Sequence, residues 1–146
     1  MKKFTLWIIL ILLFSSCAMK PVQIEQYENF DKTDKSISFP PGGDGPLAAI
    51  KKAFKKEGWD LHIRGNSLIT KNINNNQETS IKYVSRYSLL INYWKDRGAI
   101  IRYDASIIDN KTGKEVVTFN KLTAYEFQTM LDEDIANDII NWVKKH

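Results

Sequence analysis

Hydrophobic and polar positions along the chain change period several times, and each change marks an element. Leu6 through Phe14 form an unbroken apolar run behind Lys2 and Lys3, and the small residues Ser15 and Ser16 lead to Cys17. Residues 18–35 are polar, mix both charges and hold no period, so 17–35 is expected to be a flexible tether, with a reach of about 60 Å when fully extended. Ser36–Phe39 reads as a short strand, and Pro40-Pro41-Gly42-Gly43-Asp44-Gly45 breaks the chain. Leu47, Ile50 and Phe54 then recur at helical spacing with Ala49 and Ala53 beside them. Pro46 suits a first helical position and Gly58 a C-terminal stop, so a helix over about 46–57 is expected.

From Trp59 the period drops to two. Leu61 and Ile63, the turn Gly65-Asn66, and Leu68 with Thr70 predict a hairpin, and Asn72–Asn76 an exposed connection. Ile81, Tyr83, Tyr87, Leu89, Ile91 and Tyr93 alternate with Lys82, Arg86, Ser88 and Asn92, predicting a long strand with a bulge near Ser85-Arg86. A three-residue loop Asp96-Arg97-Gly98 sets Tyr93 opposite Ile101, Ile91 opposite Tyr103, Leu89 opposite Ala105 and Tyr87 opposite Ile107, every pair apolar. A loop one residue longer sets Ile91 against Arg102. Likewise Lys111-Thr112-Gly113 pairs Ile107 with Val117 and Ala105 with Phe119. A second helix is expected over about 131–145, with Ile135, Ile139, Trp142 and Val143 on one stripe. Asp132–Asp134 suit the positive end of its dipole and Lys144-Lys145 the negative end. The whole predicts one α+β domain over 36–146: an antiparallel β-meander with two helices on one face, in the order β-α-β-β-β-β-β-α.

The N-terminal order of basic, apolar and small residues is that of a secretory signal peptide. The apolar run is about half the ~20 residues a spanning helix needs. Ending at Cys17, the segment resembles the signal peptide and lipobox of bacterial lipoproteins. The resemblance implies loss of residues 1–16, lipid attachment to the Cys17 sulfur, acylation of its new amino group, and a place in the cell envelope. Ala18 after Cys17 implies the outer membrane, facing the periplasm, where the bacterium has two membranes. Phe14 departs from the family, which usually has leucine three positions before the cysteine. Two or more acyl chains hold a protein stably at a membrane. In an ordinary secreted protein, by contrast, Cys17 would be an unpaired thiol in an oxidising compartment.

Charge narrows the partners. Removing Lys2 and Lys3 takes the formal net charge from +4 to +2. The group Lys51, Lys52, Lys55 and Lys56 reads as a solvated helix face, which is no basis for nucleic-acid binding. With two histidines, His62 and His146, and one cysteine, ligands for a zinc site are lacking, and no metal or cofactor is expected. Ser67 near His62 has no nucleophile-elbow motif around it. Asp132, Glu133, Asp134 and Asp138 lack the alternating ligands and central glycine of an EF-hand. Nothing selects a carboxylate pair for glycoside chemistry, so no enzyme is expected.

The sheet face opposite the helices carries Val84, Arg86, Leu90, Asn92, Trp94, Ile100, Arg102, Asp104 and Ile108. Tryptophan and arginine are favoured where proteins meet, so Trp94, Arg102, Leu90, Ile100 and Arg86 are the candidate partner contacts, unless the tether, a loop or the Phe39 region covers them. Ala105–Asp109, the turn Asn110–Gly113 and Lys114–Val117 are similar to a strand–turn–strand of periplasmic assembly lipoproteins, among them activators of cell-wall synthases and the curli secretion channel family. That resemblance implies a domain that binds other envelope proteins and has no active site. The leading expectation is a lipid-anchored, non-enzymatic module for an envelope protein or the cell wall, docking through the sheet face or an edge strand. The alternative is a small-ligand carrier with a cavity between sheet and helices lined by Tyr83, Tyr87, Tyr103 and Trp142. An enzyme of unrecognised type ranks third.

Overall fold

Alternating residues over 87–122 form three long strands, and shorter segments complete the sheet around them. The computed structural model describes residues 20–63, 84–123 and 128–146; Cys17, the run before it, Ser67 and Tyr83 lie outside these. The elements are β1 (Gln23–Gln26), β2 (Ser36–Phe39), α1 (Pro46–Lys56), β3 (Asp60–Ile63), β4 (Tyr87–Asp96), β5 (Ala99–Asp109), β6 (Lys114–Leu122) and α2 (Asp132–Lys145). They form an α+β fold around one six-stranded sheet in the order β1-β6-β5-β4-β2-β3. Among the described residues, no helix is long and apolar enough to cross a membrane.

Strands β4, β5 and β6 pair antiparallel, as the alternation predicts. The sheet is nevertheless mixed rather than an antiparallel meander throughout, because β2 runs parallel to both β3 and β4. The reason is local: α1 carries the chain from the end of β2 back to the start of β3, and a strand that returns by a helical crossover pairs parallel. The predicted strand around Leu68–Thr70 falls outside the described residues.

The described part of the expected tether, residues 20–35, packs onto the domain. Gln23–Gln26 pairs antiparallel with β6, from Gln23 opposite Asn120 to Gln26 opposite Val117. Phe30 is buried, its ring centroid 4.7 Å from that of Tyr87, 5.2 Å from Trp142 and 5.8 Å from Trp59. The Tyr87 hydroxyl donates to the Asp31 carbonyl at 2.9 Å and accepts the Asp31 N–H at 2.8 Å. Val22 and Phe30 are the apolar positions that bring this stretch onto the core, too few to stand out among polar neighbours.

Two bulges adjust the hairpins. The first turn is two residues, Arg97-Gly98, both with positive φ (48° and 86°), and not the expected three. Leu89 lies opposite Ile107, Ile91 opposite Ala105 and Tyr93 opposite Tyr103, a slip of two from the expected register. A slip of two leaves every side chain on its face. In the second hairpin Ile107 meets Val117 and Ala105 meets Phe119, as expected. Its turn holds four residues, because a register shift makes Val116 an extra residue, and Val116 and Val117 are both buried. The Val116 carbonyl accepts the Tyr27 N–H at 2.8 Å, extending the edge beyond β1.

The core lies on one sheet face. Ile37, Phe39, Tyr87, Leu89, Tyr103, Ile107 and Phe119 meet Ile50 and Phe54 of α1 and Ile135, Ile139 and Val143 of α2. A polar clasp fixes α2 onto the central strands: the Asp138 carboxylate accepts Lys121 Nζ at 2.8 Å and the Tyr103 hydroxyl at 3.0 Å. The Lys121 side chain is only 9% exposed, so Asp138 carries the compensation of a buried cation. Asp138→Ala is expected to cost about 3 kcal/mol or more in urea unfolding, since it strands that charge. Burial, with Asp138 beside it, pushes the Tyr103 hydroxyl well above its ordinary value of 10.0. Stability from this raised value is complete below about pH 10 and lost as pH climbs toward the folded value. Alkaline titration followed by tyrosinate absorbance should therefore show Tyr103 ionising only as the fold opens. Arg97 occupies a left-handed position that asparagine tolerates better. Arg97→Asn should stabilise by about 0.5 kcal/mol, read as a higher urea midpoint with unchanged slope.

Candidate functional site

The face away from the helices is built from positions that alternate with the core set. Three cross-strand rows cover it. Leu122, Arg102 and Trp94 form the first, Gln23, Asn120, Asp104 and Asn92 the second, and Glu25, Thr118, Ser106 and Leu90 the third. Arg102 lies directly opposite Trp94, its guanidinium carbon 4.6 Å from the ring centroid. Asp104 then grips Arg102 through Nη2 at 2.7 Å and Nε at 3.3 Å. A two-toothed carboxylate contact fixes the guanidinium plane as well as its position. Trp94 remains 44% exposed and the Arg102 side chain 50%. This is a held but uncovered aromatic–cation pair.

Below the pair, two adjoining depressions of about 390 and 430 Å³ share Asp104 and Asn120. The Tyr27 hydroxyl donates to Glu25 at 2.7 Å along their rim. Gln23, Glu25 and Tyr27 were not among the expected face residues. Their signal is the alternation of Val22 and Ile24 with Gln23 and Glu25, a period of two too short to separate from polar tether.

The expected contact residues divide. Trp94 and Arg102 are together, and Leu90 lies half-buried two rows away on the same face. Ile100 is not on it: a bulge makes Ile101 an extra residue of β5, so Ile100 pairs with Lys95 and turns to the helix side. There it is 5% exposed and its carbonyl accepts the Met130 N–H at 2.9 Å. Arg86 precedes β4, eight residues from Trp94 or about 26 Å along a strand. It is occupied by Asp109, with Nη2 to Oδ2 at 2.8 Å and little exposure. It does not join the Trp94 pair.

Other expected clusters serve the fold. Asp132, Glu133 and Asp134 fill the first turn of α2, where Asp134 accepts the Leu131 N–H at 3.2 Å. Among the described residues, no group of three or more His, Cys, Asp or Glu is arranged to hold a metal ion. His62 sits 2.9 Å from Asp60 and in register with Ser38, but the Ser38 hydroxyl is hydrogen-bonded to Ser88 at 2.7 Å inside the sheet. Of the residues expected to line a carrier cavity, Tyr87 and Tyr103 are fully buried with both hydroxyls bonded within the fold, and Trp142 packs edge-on to Phe119 at 5.7 Å.

No family model and no curated protein matches the chain. Solved structures that resemble it include two PelC dodecamers. A PelC point-variant dodecamer from Paraburkholderia phytofirmans aligns with a TM-score of 0.47 at 11% identity, covering 81% of this chain and 97% of that one. A second PelC dodecamer from the same organism aligns with a TM-score of 0.43 at 14% identity, covering 84% and 94%. At these values the likeness bears on neither function nor assembly.

The aromatic–cation pair has a measurable strength. A double-mutant cycle of Trp94→Ala and Arg102→Ala should give a coupling of about 0.5–1 kcal/mol in urea unfolding, as for exposed cation–π pairs.

Proposed function

We propose that the chain is a lipid-anchored, non-enzymatic binding module of the bacterial cell envelope, held by acylated Cys17 and contacting an envelope protein or the cell wall through the Trp94–Arg102 face. The observation that supports this most is the fixed and uncovered pair itself. Asp104 holds Arg102 over Trp94 at 2.7 Å, so the side-chain freedom a partner would otherwise have to freeze is already lost. Pre-ordered tryptophan and arginine are the residues that most often dominate an interface. The hydrogen-bonding row Gln23, Asn120, Asp104 and Asn92 continues the surface and offers donors and acceptors for a polar rim.

The anchor and the face are tested separately. Cys17→Ser should move the protein from the membrane fraction to the soluble fraction, and intact mass should lose the acyl increment; an unchanged mass and fractionation overturn the anchor. A photo-crosslinker at Asn92, beside the pair, should give discrete adducts in cells, or retention on purified cell-wall sacculi. Trp94→Ala should reduce either signal at least about tenfold, the equivalent of ~1.4 kcal/mol. Equal signals from wild type and Trp94→Ala count against this face.

A further inference from the structure

Among the described residues β1 is the end strand of the sheet, with β6 beside it on one side only. The Tyr27 N–H points at β6, donating to the Val116 carbonyl at 2.8 Å. By the alternation of a strand, Glu25 and Gln23 also turn their backbone groups toward β6, while Ile24 and Gln26 turn theirs outward. Outward N–H and C=O groups are a template for another strand, and proteins ordinarily blunt such edges with lysine, proline or a bulge. Residues 22–26 hold no lysine or proline and pair with β6 in unbroken register. All four β1 residues are exposed.

The side chains of this edge also have an unfilled neighbour. Ile24 pairs with Phe119 of the core and so lies on the helix side, yet it is 40% exposed. Between β1 and α2 runs a groove of about 480 Å³ lined by Val22, Ile24, Asn141, Trp142 and Lys145 among others. Asp138 on its wall is neutralised by Lys121 at 2.8 Å, and among the described residues Lys145 is the one lysine or arginine of the groove lining. One lysine does not make a site for a polyanion. A backbone edge beside a groove in which Val22, Ile24 and Trp142 supply apolar surface is an arrangement that receives an extended peptide, whose main chain supplies affinity and whose alternate side chains supply selection.

We propose that the β1–α2 groove takes an extended segment of a partner polypeptide as a seventh strand, with apolar residues two apart directed between β1 and α2. The inference rests on the reading of the chain as a binding module, and it places a contact separate from Trp94 and Arg102.

Selection of displayed random octapeptides against the full chain in detergent tests it. Enriched peptides should carry apolar residues at i and i+2. They should lose affinity at least about tenfold on Gln26→Pro, which removes an outward N–H, and on Ile24→Lys, which charges the groove. Both substitutions are at exposed positions, and circular dichroism melting checks that the fold is kept. Trp94→Ala should leave these peptides bound as in wild type. Loss on Trp94→Ala alone would assign peptide binding to the other face and overturn the groove. Failure of adducts at Asn92 with peptides still bound here would sink the sheet-face reading and leave this one standing. No enrichment, or peptides indifferent to both edge substitutions, overturns the proposal. A dimer in solution that Gln26→Pro dissolves also overturns it, by giving the edge to a second copy.

Discussion

A β-strand offers its side chains to two faces in strict alternation, and the adjoining strands β4, β5 and β6 must agree on which face is buried. Tyr87, Leu89, Tyr103, Ala105, Ile107, Val117 and Phe119 all lie on that face, and the helices rest on the surface they form. Everything else in the molecule is arranged around this agreement. Where it is locally broken, one strand carries an extra residue, and the extra residue changes what its neighbours can do. Ile101 turns Ile100 into the core, and Val116 lets two successive valines be buried. The outer face inherits the complement of the buried set, which is how Trp94, Arg102 and Asp104 come to lie side by side.

Polar groups on the buried side hold the layers together. The Asp138 clasp joins α2 to β5 and β6, while the Tyr87 hydroxyl holds the backbone of Asp31 and thereby places Phe30 under Trp59 and Trp142. On the opposite face a second chain of hydroxyls and amides, Ser38 to Ser88 to Asn110, closes the seam where parallel β2 meets β4. Buried hydroxyls are stable only when bonded, so the seam tolerates few alternatives. The clasp ties α2 to the central strands and the seam ties β2 to β4, while Trp94 and Arg102 at the far end of the outer face stay exposed.

The features written in many residues were legible in the sequence, and those written in few were not. Both helices could be read because eleven and fourteen residues repeat a stripe, and the central hairpins because alternation over long strands fixes faces even when the turn is misjudged. Trp94 and Arg102 followed from that parity. The parallel pairing of β2 was not legible, since four residues carry too little pattern and the choice of neighbour depends on the path of α1. Ile100 was misplaced because a bulge leaves no mark in a hydrophobic pattern that remains apolar on both sides of it. Gln23, Glu25 and Tyr27 were missed for the same shortage of repeats: a strand with four exposed residues resembles a polar linker.

The pairing of β1 with β6 converts part of that linker into structure, and this has a mechanical meaning. A pull on the residues before Gln23 enters the fold at β1, which is held by four backbone pairs to a single strand. Next in line is Phe30, packed under Trp59, Tyr87 and Trp142. The two resist in series, the weaker first. Peeling residues 23–29 from β6 would release about 23 Å of chain before the aromatic cluster is loaded. The edge strand thus behaves as a yielding link that takes up strain before the core is loaded.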